Sequence, residues 1–78
     1  MPKVIIYSLP TCPFCIRAKE FLEKNKVKFE DKDVGKDIAA RKEMIKKSGQ
    51  MGTPVFDIDG KIIIRYDIDA LKKVLKIR

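Results

Sequence analysis

The sequence has no tryptophan, no histidine and only two cysteines in 78 residues. A structural zinc site takes four ligands. With two thiols and no imidazole, zinc would have to borrow ligands from a second chain or from carboxylates, so no metal site is expected. No segment approaches the roughly 20 apolar residues of a membrane-spanning helix. The N-terminal apolar run, Val4 to Tyr7, is too short for the core of a signal peptide. These readings place the protein in the cytoplasm and off the membrane. That compartment is reducing, and disulfides found there are usually catalytic or sensory rather than structural. Side-chain amides are scarce as well: Asn25 and Gln50 are the only two. With isoleucine and lysine abundant, this is a balance met in heat-adapted proteins. Internal repeats, linkers and low-complexity stretches are missing too, so 1–78 reads as one domain with one core.

What the chain does carry is charge. Asp, Glu, Lys and Arg make up 37% of it, against roughly 25% in an average protein, and the net charge is +7. A basic protein can attract nucleic acid, anionic membranes or acidic partners. Here the lysines are spread over the whole chain with acidic residues between them. There is no block of like charge and no basic run interleaved with aromatics, the pattern of a nucleic-acid groove. The bulk of the charge is a solvated surface. Its functional remainder is a field that draws anionic thiols or acidic partner proteins to a monomer.

Val4-Ile5-Ile6-Tyr7 is short, apolar and β-branched, as a buried strand is. Ser8 to Thr11 reads as a loop. A helix follows from about Pro13 to Asn25, with Pro13 suited to its first turn and Ala18, Phe21 and Leu22 on one face. Val27 to Val34 alternates in part, and its charged half, Asp31-Lys32-Asp33, suggests an edge strand. Gly35 breaks the chain before a second helix, from about Lys36 to Lys47. Its apolar side is Ile38, Ala39, Ala40, Met44 and Ile45. Ser48 to Gly52 is a loop. Val55 to Ile58 and Lys61 to Ile64, separated by Asp59-Gly60, read as a tight hairpin. A last helix begins near Asp67, a good N-cap residue, with Ile68, Leu71, Val74 and Leu75 inward. The order β-α-β-α-β-β-α implies a parallel pair with a right-handed crossover, then an antiparallel hairpin. The result is an α/β fold: a four-stranded mixed sheet with helices on both faces.

Thr11-Cys12-Pro13-Phe14-Cys15 falls where a strand ends and a helix begins. The first helical N–H groups lack intrahelical partners, and the helix dipole adds partial positive charge there. A thiolate at Cys12 gains from both, so its pKa should drop below that of a free thiol. The thiolate is the nucleophile of disulfide exchange. Cys15, one turn on, is placed to attack a mixed disulfide formed at Cys12. Cys12 should be the exposed attacking thiol and Cys15 the more buried resolving one. A bare C-x-x-C also fits half of a zinc site or two core cysteines, but beside a β-α-β pattern it is a redox signature. Gly52-Thr53-Pro54-Val55 is the second piece. A proline just before a strand is often only an edge or loop residue. A cis Pro54, however, would turn the Thr53 N–H and C=O outward, toward an extended substrate.

Cys12-Pro13-Phe14-Cys15-Ile16-Arg17-Ala18-Lys19 resembles the active-site helix of glutaredoxins. So does the element order, with the hairpin entered through Thr53-Pro54-Val55, and the resemblance spans essentially the whole chain. It implies a thioredoxin fold, attack by Cys12, resolution by Cys15, and a cis Pro54 packed beside the pair. It also implies that Asp67, at the start of the last helix, helps hold glutathione. Phe14 stands where many members carry tyrosine. The sequence departs from the family in three places. Gly52-Thr53-Pro54 replaces Thr-Val-Pro, Arg65-Tyr66 replaces a common Gly-Gly pair, and Ser8 replaces a common basic residue. These changes bear on glutathione binding and leave the dithiol chemistry intact. They resemble a branch of redoxins that take electrons from thioredoxin reductase, some of them serving ribonucleotide reductase.

The expected activity is reduction of protein or mixed disulfides, with Cys12 and Cys15 catalytic and Phe14, Thr53, Pro54 and Asp67 binding substrate. No tightly bound cofactor is implied, with glutathione or thioredoxin reductase as electron source. Three alternatives stand beside it: a pair poised for disulfide oxidation or isomerisation, a carrier holding an iron–sulfur cluster through Cys12 and added thiols, and a binding module using the basic surface, whose function would not need Cys12. Smaller expectations attach to Arg17 and Lys19, as a solvated face or a source of positive potential. Arg65 is read either as an exposed charge or as a carboxylate holder, and Tyr66 as a packing residue.

Overall fold

A computed structural model describes residues 3–76. The apolar N-terminal run forms β1, Val4–Ser8, buried along its whole length. Ser8 belongs to this strand rather than to the loop that follows. It pairs with Asp33 across the sheet, and its hydroxyl donates to Asp31 at 2.5 Å.

Helix α1, Pro13–Lys24, comes next, with Asn25 as its C-cap. Lys26 takes a left-handed φ of 57°. Its N–H returns to the Glu23 carbonyl, and that of Val27 returns to Leu22 at 2.9 Å. This is a Schellman closure made without glycine. It corrects the expectation of a strand from Val27, because closing the helix fixes the backbone at Lys26 and Val27. Val27 and Phe29 still pack on the core, but β2 is only Glu30–Asp33.

The second helix also starts later than expected. The Asp33 carboxylate accepts from Gly35 and Lys36 N–H groups, which makes these residues a turn. Asp37 then caps α2, Ile38–Ser48, by accepting from Ala40 N–H at 3.0 Å. Ile38 is 68% exposed, so it leaves the apolar side assigned to it; Ala40, Met44 and Ile45 supply the packing. The hairpin appears as read: β3 is Val55–Ile58 and β4 is Lys61–Ile64. Asp59 and Gly60 both have positive φ, as a two-residue type I′ turn requires. Helix α3, Ile68–Leu75, is capped by Asp67. Leu71 is its buried residue, backed by Ala70, Val74 and Leu75, whereas Ile68 is 36% exposed and lies outside the expected inner face.

The strands lie in the order β2-β1-β3-β4. β1 runs parallel to β2 and antiparallel to β3, and β3 is antiparallel to β4. Side chains alternate across this sheet and build two cores. On one face Val4, Ile6, Phe56, Ile58 and Ile63 meet α1 and α3 through Ala18, Leu22 and Leu71. On the other, Ile5, Tyr7 and Val55 meet α2 through Ala40 and Met44. Burying a leucine or phenylalanine side chain contributes about 1.5–3 kcal/mol, so the two layers hold α1 and α2 against opposite sides of β1.

Candidate active site

Packing of α1 on the sheet brings its first turn over the C-terminal end of β1, and the turn between them ends at Cys12. Cys12 N–H donates to the Leu9 carbonyl at 3.1 Å. Its backbone is extended (φ −87°, ψ 114°), so it is the N-cap, and Pro13 takes the first helical position. A sulfur here does what a serine or aspartate oxygen usually does: Cys12 Sγ accepts from Cys15 N–H at 3.3 Å. Both cysteines are free thiols, Cys12 partly exposed and Cys15 fully buried.

Their acidities diverge. Burial pushes the Cys12 thiol up. Hydrogen bonds from the Cys15 side chain and N–H, from Thr53 and from Phe14 N–H outweigh it and bring the thiol below its ordinary value. Burial raises Cys15, and its hydrogen bond to Cys12 raises it further. The N–H donors at Phe14 and Cys15 are the unpaired groups of the helix N-terminus, so the local form of the dipole argument is present in these bonds.

Thr53-Pro54 faces this pair. The Thr53 carbonyl oxygen lies 3.9 Å from Cys12 Sγ, and the Thr53–Pro54 peptide is cis. Pro54 is buried, and its carbonyl accepts from Arg65 N–H at 3.0 Å, which ties the end of β4 to the start of β3. Phe14 is 54% exposed beside the pair, with the Arg17 guanidinium 5.8 Å from its ring centre. Met51, in the loop before Thr53, is 62% exposed. Asp67 caps α3 two residues after Arg65, its carboxylate taken by Ala70 N–H at 3.1 Å. Cys12, Cys15, Phe14, Thr53 and Pro54 thus come together, with Asp67 following the same end of β4.

Two features were not anticipated. Arg65 has φ 69°, a conformation that costs a non-glycine residue about 1–2 kcal/mol. No glycine or asparagine marks the position, so the sequence carries no signal for it. Lys19 joins Asp31 at 3.0 Å, which removes it from the set of unpaired charges around the thiols. Tyr66 does what was expected of it: it packs on the core and meets Phe21 edge to face at 6.4 Å.

A mixed four-stranded sheet between helices, with a dithiol capping the helix after its first strand and a cis-proline opposite, defines a thioredoxin-fold protein of the thiol oxidoreductase class. Comparison with known proteins narrows this. The glutaredoxin family model matches residues 4–63. An uncharacterised glutaredoxin-like 8.6 kDa protein in the rubredoxin operon of Clostridium pasteurianum is 41% identical, over 91% of this chain and 95% of that one. The structure of glutaredoxin (grx-1) from Archaeoglobus fulgidus superposes with a TM-score of 0.88 at 30% identity, over 97% of this chain and 88% of that one. That of the thioredoxin-like protein BC3987 gives 0.87 at 38% identity, over 92% and 99%. The chain belongs to the glutaredoxin family.

Proposed function

We propose that the protein reduces protein or mixed disulfides by a dithiol mechanism in the cytoplasm. The asymmetry of the pair carries this reading: a partly exposed Cys12 with a lowered pKa is bonded to a buried Cys15 with a raised one. The Cys12 thiolate attacks one sulfur of the substrate disulfide, forms a mixed disulfide and expels the other sulfur as a thiolate. Forming that bond removes the Cys12 charge and the hydrogen bond that raised Cys15. Cys15 then loses its proton to solvent and attacks Cys12 Sγ, releasing the second substrate thiol. The substrate gains two electrons, and a Cys12–Cys15 disulfide remains. In this reading the Thr53 backbone pairs with a substrate strand, Phe14 offers it an exposed apolar contact, and Asp67, which follows the same end of β4, adds a polar one.

Two electrons must return from glutathione or from thioredoxin reductase, and no bound cofactor enters these steps. The test is NADPH consumption during reduction of a small mixed disulfide, with glutathione and glutathione reductase in one arm and thioredoxin reductase in the other. Cys12→Ser is the control. Turnover in either arm that the control lacks supports the reading, and the active arm names the donor. Rates equal to the control in both arms would overturn it.

A further inference from the structure

The edge that carries the dithiol also carries two arginines that pair with no carboxylate among the described residues. Arg17 is exposed, three residues along α1 from Phe14 and stacked near its ring. Arg65 is exposed, just past β4, with its N–H on the Pro54 carbonyl. Neither enters an ion pair among the described residues, whereas Lys19, Lys32 and Lys47 all do.

Both are held in place. Contact with an aromatic face orders a guanidinium and leaves its planar fork available. Arg65 has a left-handed backbone that glycine would adopt without strain, yet the chain places an arginine there. Strand order sets the sites side by side: Cys12 after β1, Thr53-Pro54 before β3, Arg65 after β4. Two strand spacings separate β1 from β4, about 10 Å. Thr53 N–H has no backbone partner among the described residues, and its carbonyl faces the Cys12 sulfur. An extended segment paired with Thr53 therefore passes between α1 and Arg65. The acidic groups next along the chain are Asp67, the N-cap of α3, and Asp69 in its first turn, and the Asp67 carboxylate is occupied by Ala70 N–H.

We infer that Arg17 and Arg65 select substrates, favouring an extended segment of a partner protein whose reactive cysteine has acidic side chains on both sides. This rests on the disulfide-exchange reading above. A guanidinium fork matches a carboxylate in shape and charge, and the net charge of +7 favours approach of an acidic partner. Exposed ion pairs each contribute up to about fivefold in an equilibrium or rate constant. Two together give an expected preference of about fivefold or more.

The test uses reduced protein and synthetic peptides, each carrying one cysteine as a mixed disulfide with thiopyridine. Attack of Cys12 on the peptide sulfur expels the absorbing thiopyridone. Cys15 then releases the peptide thiol. Peptides with the cysteine flanked by glutamate or by glutamine are compared, alongside the glutathione mixed disulfide. The readout is the ratio of second-order rate constants for the two peptides, which a general loss of reactivity does not move. The expected ratio is about fivefold or more at low salt. It should fall toward one in about 0.5 M salt, collapse in Arg17→Gln/Arg65→Gln and be restored in Arg17→Lys/Arg65→Lys. Equal rates for the two peptides, or a ratio that survives the double glutamine variant, would overturn the inference. So would a larger loss for the glutathione disulfide than for the glutamate peptide, which assigns the arginines to glutathione. If no disulfide is reduced, the exchange reading fails and this one with it; uniform reduction of all removes the charge selection alone.

Discussion

On the α2 side of the sheet Lys47 holds three partners at once. Its ammonium donates to the Tyr7 hydroxyl at 2.9 Å and to Asp57 at 2.6 Å, and pairs with Glu43 at 3.0 Å. Lys32 completes the group through Glu43 at 3.1 Å. At the end of β1 the two thiols have a single N–H···S bond between them and no counter-ion among the described residues. Both regions place ionisable groups partly out of water, with opposite results. Around Lys47 each charge has its opposite. Glu43 is held down at about 2, chiefly by Lys47 and then by Lys32. Burial alone would raise Asp57, but Lys47 and the Gly60 N–H bring it below its ordinary value. Burial sets Tyr7 upward, so its hydroxyl stays protonated. In the dithiol the thiolate is stabilised only by weak donors, and its neighbour is driven the other way. Full pairing gives a structural brace; partial pairing leaves a nucleophile.

The sharpest separation should come from Cys12→Ser. Disulfide turnover is expected to fall to background while urea denaturation shows little change in stability, since Cys12 is partly exposed and serine also caps helices well. Lys47→Ala should do the reverse. It strips the charge from beside Asp57, which is 8% exposed, and should cost about 1–3 kcal/mol by the same denaturation. The alkylation rate of Cys12 should not move. If Lys47→Ala slows that alkylation, the two regions are not independent.

Titration offers a third separation. Asp57 and Glu43 have depressed pKa values in the folded state, so their stabilisation is present above their ordinary values, 3.8 and 4.5, and is lost as pH falls through them. Thermal melting should therefore drop between about pH 4.5 and pH 2, and Asp57→Asn should flatten that drop. Glu43 is partly exposed, so added salt should shrink its share. The thiols respond at the other end of the scale. Iodoacetamide should label Cys12 before Cys15 at neutral pH, with half-maximal rate below pH 9.0. Equal labelling of the two would remove the distinction between attacking and resolving thiol. The smallest effect should come from Lys19→Ala. Its pair with Asp31 is open to solvent, and the loss should stay under about 1 kcal/mol by denaturation.

Much of the fold was legible because it is written locally. The Asp59-Gly60 hairpin, Pro13 at a helix start and the Asp67 cap each need only a few adjacent residues. The redox pair was legible for the same reason: its spacing and its place after a strand are contiguous. What went unread depends on distant partners or on unusual backbone. Tyr7 and Lys47 are 40 residues apart, and nothing near either one announces their bond. Ile38 and Ile68 each begin a helix, where a hydrophobic pattern alone does not show that the first turn overhangs the core. Lys26 and Arg65 adopt left-handed conformations without the glycine or asparagine that would mark them. The start of the second strand was placed too early, at Val27 instead of Glu30, because a helix closure took residues that alternate like a strand.

The order β2-β1-β3-β4 leaves the sheet with two open edges of opposite character. One is Glu30-Asp31-Lys32-Asp33, charged at every position, which discourages a neighbouring molecule from adding a strand. The other is Lys61-Ile62-Ile63-Ile64, with Ile64 exposed and Lys61 as the single charge on it. An apolar, β-branched edge with one gatekeeping lysine is where molecules meet when the protein is concentrated or partly melted. Self-association, when it is forced, should enter through the hairpin and not through the parallel pair.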